Sequence, residues 1–197
     1  TQALVLRCIT ALFILLISTF FIRKTRYLFT DLKQEKWYIL LTYFLWFLPF
    51  LSARFSSEIW SGVLFLWMIS LYLEKDISKR NIFLMGFLAA VSFLVRFQIA
   101  FALFGFFSWL FFIKEESKRF YLKFSVAFIM VLILGFLLDS WFYETLTCTP
   151  FNYLNEFIAS NDKANYGISP WYYYFEKIIT FPTPFIGIPL FISLLFF

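Results

Sequence analysis

Histidine is missing from this sequence, and its two cysteines stand far apart, Cys8 in an apolar run and Cys148 in an aromatic stretch. Without histidine or closely spaced cysteines, neither a zinc centre nor a disulfide framework has the ligands it needs. Charge is also scarce, at 15% of residues, so there is too little polar surface to coat a soluble globule. Glycine is rare too, with six residues, which argues against a tight small-residue helix bundle and for packing through bulky rings. No basic n-region or small-residue cleavage site accompanies the first apolar run, so signal-peptide anatomy is not seen there. The chain opens at Thr1 without a methionine and stops at Phe197 inside an apolar run. It is therefore expected to be a fragment of a longer membrane protein.

What is present is apolar and aromatic. Hydrophobic residues make up 62% of the chain, aromatic residues 25%, and phenylalanine alone contributes 32 positions. No globule of 197 residues has enough interior to hide that surface, so the expected class is an all-α polytopic membrane protein. Apolar stretches run over 8–22, 37–53, 59–73, 82–95, 97–113, 124–138 and 181–197. Several fall short of the roughly 20 residues that a perpendicular span needs. Read as one helix, 82–112 would overrun the ~30 Å hydrocarbon layer, so it reads as a hairpin turning near Arg96. The expected organisation is 1–138 as about six transmembrane helices, 139–180 as a non-cytoplasmic aromatic loop with short helices, and 181–197 as the start of a further span.

Charge placement gives an independent count of the hairpins. Arg23, Lys24, Arg26, Lys33 and Lys36 mark one connection, Lys75, Lys79 and Arg80 a second, and Lys114, Lys118, Arg119 and Lys123 a third. Together they hold most of the 17 basic residues. If each hairpin forms, all three lie at one face, which the positive-inside rule makes cytoplasmic. Arg54, Glu58, Arg96, Asp139 and the aromatic insert then share the opposite face. The net charge of +5 is explained as a topology signal, with no nucleic acid invoked.

Two arginines fall outside those clusters, each where two apolar legs meet. Arg54 has Glu58 at helical i,i+4 spacing and can pair with it, or snorkel to the interface. Arg96 has no acid near it in sequence and is followed by Gln98, so a phosphate-bearing lipid would suit its guanidinium fork. Within the insert, Thr149-Pro150 and Ser169-Pro170 each resemble a hydroxyl N-cap with proline opening a helix, giving short helices over 151–158 and 171–179. The residues 161–165 (NDKAN) read as a polar turn, and Tyr166-Gly167 as a second. Trp171 and the tyrosines after it suit an aromatic belt at the headgroups or stacking on a sugar; the two readings are compatible.

These blocks resemble a known family. TCTPFNY at 147–153, followed by YGISPWYYYF at 166–175, is similar to the "T-x-T-P-x-N-[FY]" and "[YF]-G-x-x-P-W-x-x-Y" pair of the lipid-phosphate-mannose-dependent mannosyltransferases that build GPI anchors and N-glycan precursors. DSWFY at 139–143 and ARFSSE at 53–58 resemble further blocks of that family, and RFQ at 96–98 resembles its bacterial members. The resemblance implies a GT-C-type glycosyltransferase, a multi-span helical enzyme that takes a sugar from a polyprenyl- or dolichyl-phosphate donor. It implies a glycan or glycolipid acceptor, no cofactor, and an active site facing the lumen or periplasm. Arg54, Arg96 and Gln98 become candidates for the donor phosphate, and Asp139, Asn152, Tyr166, Trp171 and Tyr174 for the acceptor or sugar. Asp139 can also be read as a structural cap or as a base. Ser169 stands where the GPI branch often has histidine, and the family's His-Pro-Asp-Glu-like acidic motif is not found in the chain. The catalytic acid is accordingly expected upstream of residue 1. The bacterial-like block favours a bacterial inner membrane over the endoplasmic reticulum. A lipid-linked-sugar flippase or other transporter is the rival reading, since short, broken helices with buried polar groups also serve transport.

Overall fold

The computed structural model describes residues 2–45, 48–74, 77–159, 170, 172–180, 187–189 and 192. Among them every regular element is helical. The expected turns at 161–165 and 166–167, the helix start at Ser169, and most of the apolar stretch 181–197 lie outside the described residues, as do Tyr166 and Trp171.

The first helix, α1 (Gln2–Thr25), is longer than the apolar run 8–22, because the flanking residues favour helix even where they are polar. Its last turn carries Arg23 and Lys24, which complement the negative end of the helix dipole. The stretch expected over 37–53 divides into α2 (Leu32–Phe44) and α3 (Leu48–Ser52). The cause of the division is Pro49, which has no N–H to donate and whose ring collides with a preceding carbonyl; it is tolerated in the first turn of α3. Asp31 starts α2 early by accepting the Lys33 N–H at 3.0 Å. Next come α4 (Ser57–Tyr72) and α5 (Lys79–Val95), the latter capped by Ser78, whose hydroxyl accepts the Asn81 N–H at 3.1 Å.

Helix α5 stops at Arg96, whose backbone is extended (φ −156°, ψ 111°). A 3-10 turn, Phe97–Ile99, leads into α6 (Ala100–Trp109), which continues as a π-turn, Leu110–Lys114, and ends where Glu115 takes a left-handed conformation (φ 49°). Ser117 caps the 25-residue α7 (Lys118–Phe142) by accepting the Phe120 N–H at 3.3 Å. The expected hairpin at Arg96 is thus present. Three segments among the described residues are long and apolar enough to cross a membrane: Gln2–Leu28, Phe97–Lys114 and Lys118–Phe142. At 16 and 17 residues, α4 and α5 extend only ~24–26 Å, short of the ~30 Å layer.

Residues Thr1–Pro150 form one compact unit and Phe151–Phe197 another. In the first unit α5 is central, between α4 and α7. The α5–α7 contact depends on small residues. A Cβ on Gly86 would run into the Phe124 carbonyl oxygen and sit 2.9 Å from the Ala127 Cβ. Ala89 and Ala90 are fully buried. Between α4 and α5, each of Ser61 and Ser92 donates its hydroxyl to the other's backbone carbonyl, at 2.9 and 2.8 Å. The rings that glycine scarcity pointed to pack along the unit, Phe13 on Trp60 between α1 and α4 and Phe93 beside Phe128 between α5 and α7, and form a cluster at one end. There Tyr72 meets Phe106, Trp109 and Phe120 edge-on, with centroids 5.6–6.2 Å apart. The second unit contains most of α8 (Thr149–Ala159) and α9 (Tyr173–Thr180).

Candidate functional site

Which side chains share an end of the first unit follows from its antiparallel order. At one end Lys24 of α1 pairs with Glu74 at 3.0 Å, Asn81 of α5 donates to the same carboxylate, and Tyr72 donates to Glu116 at 2.8 Å. The basic connections near 24, 79 and 118 therefore converge there. At the other end lie the start of α4, the end of α5 and the end of α7. Leu94 lies against Gly135, and Asp139 follows one turn beyond, so Arg96 and Asp139 belong to the same end of the bundle.

Arg96 corrects the expectation that it lacks an acid. Its Nη1 lies 2.7 Å from Glu58 Oε1 and 3.4 Å from the Ser57 hydroxyl. The i,i+4 pair of Arg54 with Glu58 is not made, because residues 54–56 form a non-helical linker and Arg54 is never on the same helix as Glu58. Once the legs 59–73 and 82–95 are folded about their connection, residue 92 falls opposite 61 and 96 opposite 58. The Ser61–Ser92 contact fixes that register. The pair is made across the hairpin, so no spacing along the sequence marks it.

Glu58 lies just ahead of the apolar run that begins at Ile59. Its own backbone N–H and the Ser56 hydroxyl, with smaller contributions from Arg96 and Arg54, hold its carboxyl below the usual carboxylate value. Arg54, exposed between α3 and α4, thus acts on the same carboxylate through its field. Gln98 is exposed in the 3-10 turn two residues beyond Arg96. Arg96 and Arg54 both act on the Glu58 carboxylate, and Gln98 follows Arg96 by two residues.

Asp139 lies within the last turn of α7, one residue past the apolar run expected to end there. Its carboxylate accepts the Thr149 hydroxyl at 2.5 Å. Ser140 accepts the Thr147 N–H at 3.1 Å and its hydroxyl lies 3.4 Å from the Thr147 carbonyl. Two of the sequence blocks, 139–143 and 147–153, thus clasp each other, and α8 starts at Thr149 from that clasp. This contact favours the cap reading of Asp139. Asn152 is exposed on α8, and Tyr174 belongs to α9. Cys8 and Cys148 are both free. Among the described residues no cluster of carboxylate, cysteine and histidine side chains could hold a metal ion.

The described residues form an all-helical bundle, with three segments long and apolar enough to cross a membrane, as a polytopic membrane protein requires. The chain belongs to the Alg9-like mannosyltransferase family, whose model matches residues 1–197. It is accordingly an integral membrane glycosyltransferase, and its family works in general with a lipid-linked sugar donor and a glycan acceptor. No curated protein and no solved structure matches it. Family membership does not favour the transporter reading.

Proposed function

We propose that the protein transfers a mannosyl residue from a polyprenyl- or dolichyl-phosphate donor to a glycan or glycolipid acceptor at the non-cytoplasmic face. The observation that carries this reading is the Arg96–Glu58–Arg54 cluster at the bundle end opposite the basic connections. In the reaction the bond from the sugar C1 to the lipid phosphate breaks and a bond from C1 to the acceptor hydroxyl oxygen forms. The hydroxyl proton goes to a carboxylate base, and the lipid phosphate leaves with its electron pair. The transition state is oxocarbenium-like, so the enzyme must stabilise negative charge growing on the departing phosphate.

Arg96 suits that task. Glu58 engages Nη1 alone, and the pair is partly exposed, with side chains 34% and 52% accessible, so a phosphate can displace the carboxylate and take the bidentate geometry of the fork. Arg54 and Gln98 complete the donor side. Asp139 is assigned to holding the 147–149 segment rather than to proton transfer. Asn152, Tyr166, Trp171 and Tyr174 are proposed for the acceptor, and residues 139–180 for the loop that carries it. The positive-inside rule places the basic end in the cytoplasm, and the RFQ block at 96–98 favours a bacterial inner membrane.

The test is transfer by the full-length protein from a polyprenyl-phosphate mannose. Arg96→Ala is expected to lower kcat/KM by about 100-fold or more at normal expression, as loss of one preorganised charge-stabilising donor does. Arg96→Lys should recover only part of it, because an ammonium lacks the fork. Wild-type turnover by Arg96→Ala would contradict the assignment.

A further inference from the structure

Between α5, α6 and α7 is an apolar groove of about 440 Å³, whose α7 wall is formed by Tyr121, Phe124, Ser125, Phe128 and Leu132. From Tyr121 to Leu132 the groove follows α7 for ~16 Å, close to the hydrocarbon depth of one leaflet, ~15 Å. Its α7 wall starts one turn below Lys118, while Phe93 and Ala100 line its far end about one turn from Arg96, so it runs from the basic end toward the Arg96 turn. Lys118, Tyr121, Ser125, Phe128 and Leu132 recur at three- and four-residue spacing and so form a single helix face headed by a cation. Lys118 is exposed, and Lys114 and Lys123 lie within five residues of it.

The Tyr121 hydroxyl is the second observation. It is buried and, among the described residues, it is the one buried side-chain polar atom without a hydrogen-bond partner. A buried hydroxyl in an apolar wall is unfavourable unless something supplies an acceptor. Lipid ester and phosphate oxygens are such acceptors, and Tyr121 lies one helical turn from the cation Lys118 that would meet a headgroup.

We propose that this groove binds one anionic phospholipid of the leaflet at the basic end, with an acyl chain along Phe124, Phe128 and Leu132, an ester oxygen accepting from Tyr121, and the phosphate at Lys118. The site is separate from the donor cluster and does not depend on the mannosyl-transfer reading. The phospholipid and a donor chain differ in where the phosphate would lie, at Lys118 for the first and at Arg96 for the second.

The test uses the full-length protein reconstituted in vesicles of equal parts phosphatidylglycerol and phosphatidylcholine, extracted in mild detergent and weighed by native mass spectrometry. One retained phosphatidylglycerol per chain is expected, in preference to phosphatidylcholine. Lys118→Glu should lower its occupancy by at least about fivefold, the effect of one basic residue at a membrane surface. Tyr121→Phe removes an unpaired hydroxyl and so should fold normally while retaining less lipid. Ser125→Trp should fill the groove and abolish retention of both lipids, whereas Lys33→Glu on α2 should change nothing. Equal retention of the two lipids, retention unaffected by Lys118→Glu and Tyr121→Phe, or recovery of a polyprenyl phosphate in the groove would each overturn the proposal.

Discussion

Arg96 and Glu58 present the same problem to each other that a substrate phosphate presents to both. The carboxylate pairs with the guanidinium, and under the proposed function a donor phosphate would take its place. Glu58→Gln removes the competing charge and keeps the shape, so the apparent KM for the lipid-phosphate donor should fall several-fold with kcat little changed. A raised donor KM in that variant would mean that Glu58 orients Arg96 rather than competes with the phosphate. The pH dependence has a definite sign. Because the Glu58 carboxyl is held below the usual carboxylate value, the ion pair is intact above the ordinary carboxylate range and is lost only as pH falls through the lowered value. Donor KM should therefore be insensitive to Glu58 between pH 6 and 8. Asp139 is a residue of another kind, engaged by Thr149 and flanked by the Ser140–Thr147 contacts. Thr149→Val should loosen the clasp and speed proteolytic cleavage between 143 and 149, while Thr149→Ser keeps the hydroxyl and should not.

At the scale of elements, α5 organises the first unit, and its packing combines rings with a glycine at one crossing. Six glycines suggested that rings would do the packing; Phe93 meets Phe128 across α5 and α7, and at Gly86 the α5 backbone also comes close to the Phe124 carbonyl. Composition counts residues but does not say where they fall, and one glycine at a crossing is enough to let two backbones meet. Gly86→Ala should destabilise the protein by roughly 1–3 kcal/mol, since the backbone carbonyl of Phe124 cannot move aside as a side chain can. Gly105→Ala is the control, because its Cβ would meet nothing within 4 Å and alanine favours helix by about 1 kcal/mol. Thermal unfolding in detergent separates the two, with opposite shifts expected. The elements themselves were largely legible. Apolar runs located the legs of the bundle, and Arg96 located the turn between α5 and α6. Their ends were less so, because Asp31, Ser78 and Ser117 start helices in polar sequence that hydropathy does not weigh.

Over the whole molecule, the account depends on two ends with different chemistry. Lys24–Glu74, Asn81–Glu74 and Tyr72–Glu116 join the connections at one end, and Glu58–Arg96 lies at the other. That division was readable from the spacing of basic residues, because each cluster separates two apolar legs. The contents of the far end were not, since pairing across a hairpin depends on register, and register here is set by two serines that carry no signal of their own. The central claim is that the Arg96 end faces away from the cytoplasm. It is tested most directly by single-cysteine labelling of the full-length protein in intact cells with an impermeant maleimide, on a Cys8→Ser, Cys148→Ser background. Cysteines replacing Glu144 or Thr145, between α7 and α8, should react. Those replacing Lys33, Lys79 or Lys118 should react only after the cells are opened. Labelling of Lys79 and Glu144 positions from the same side, or of the lysine positions alone in intact cells, would contradict the account.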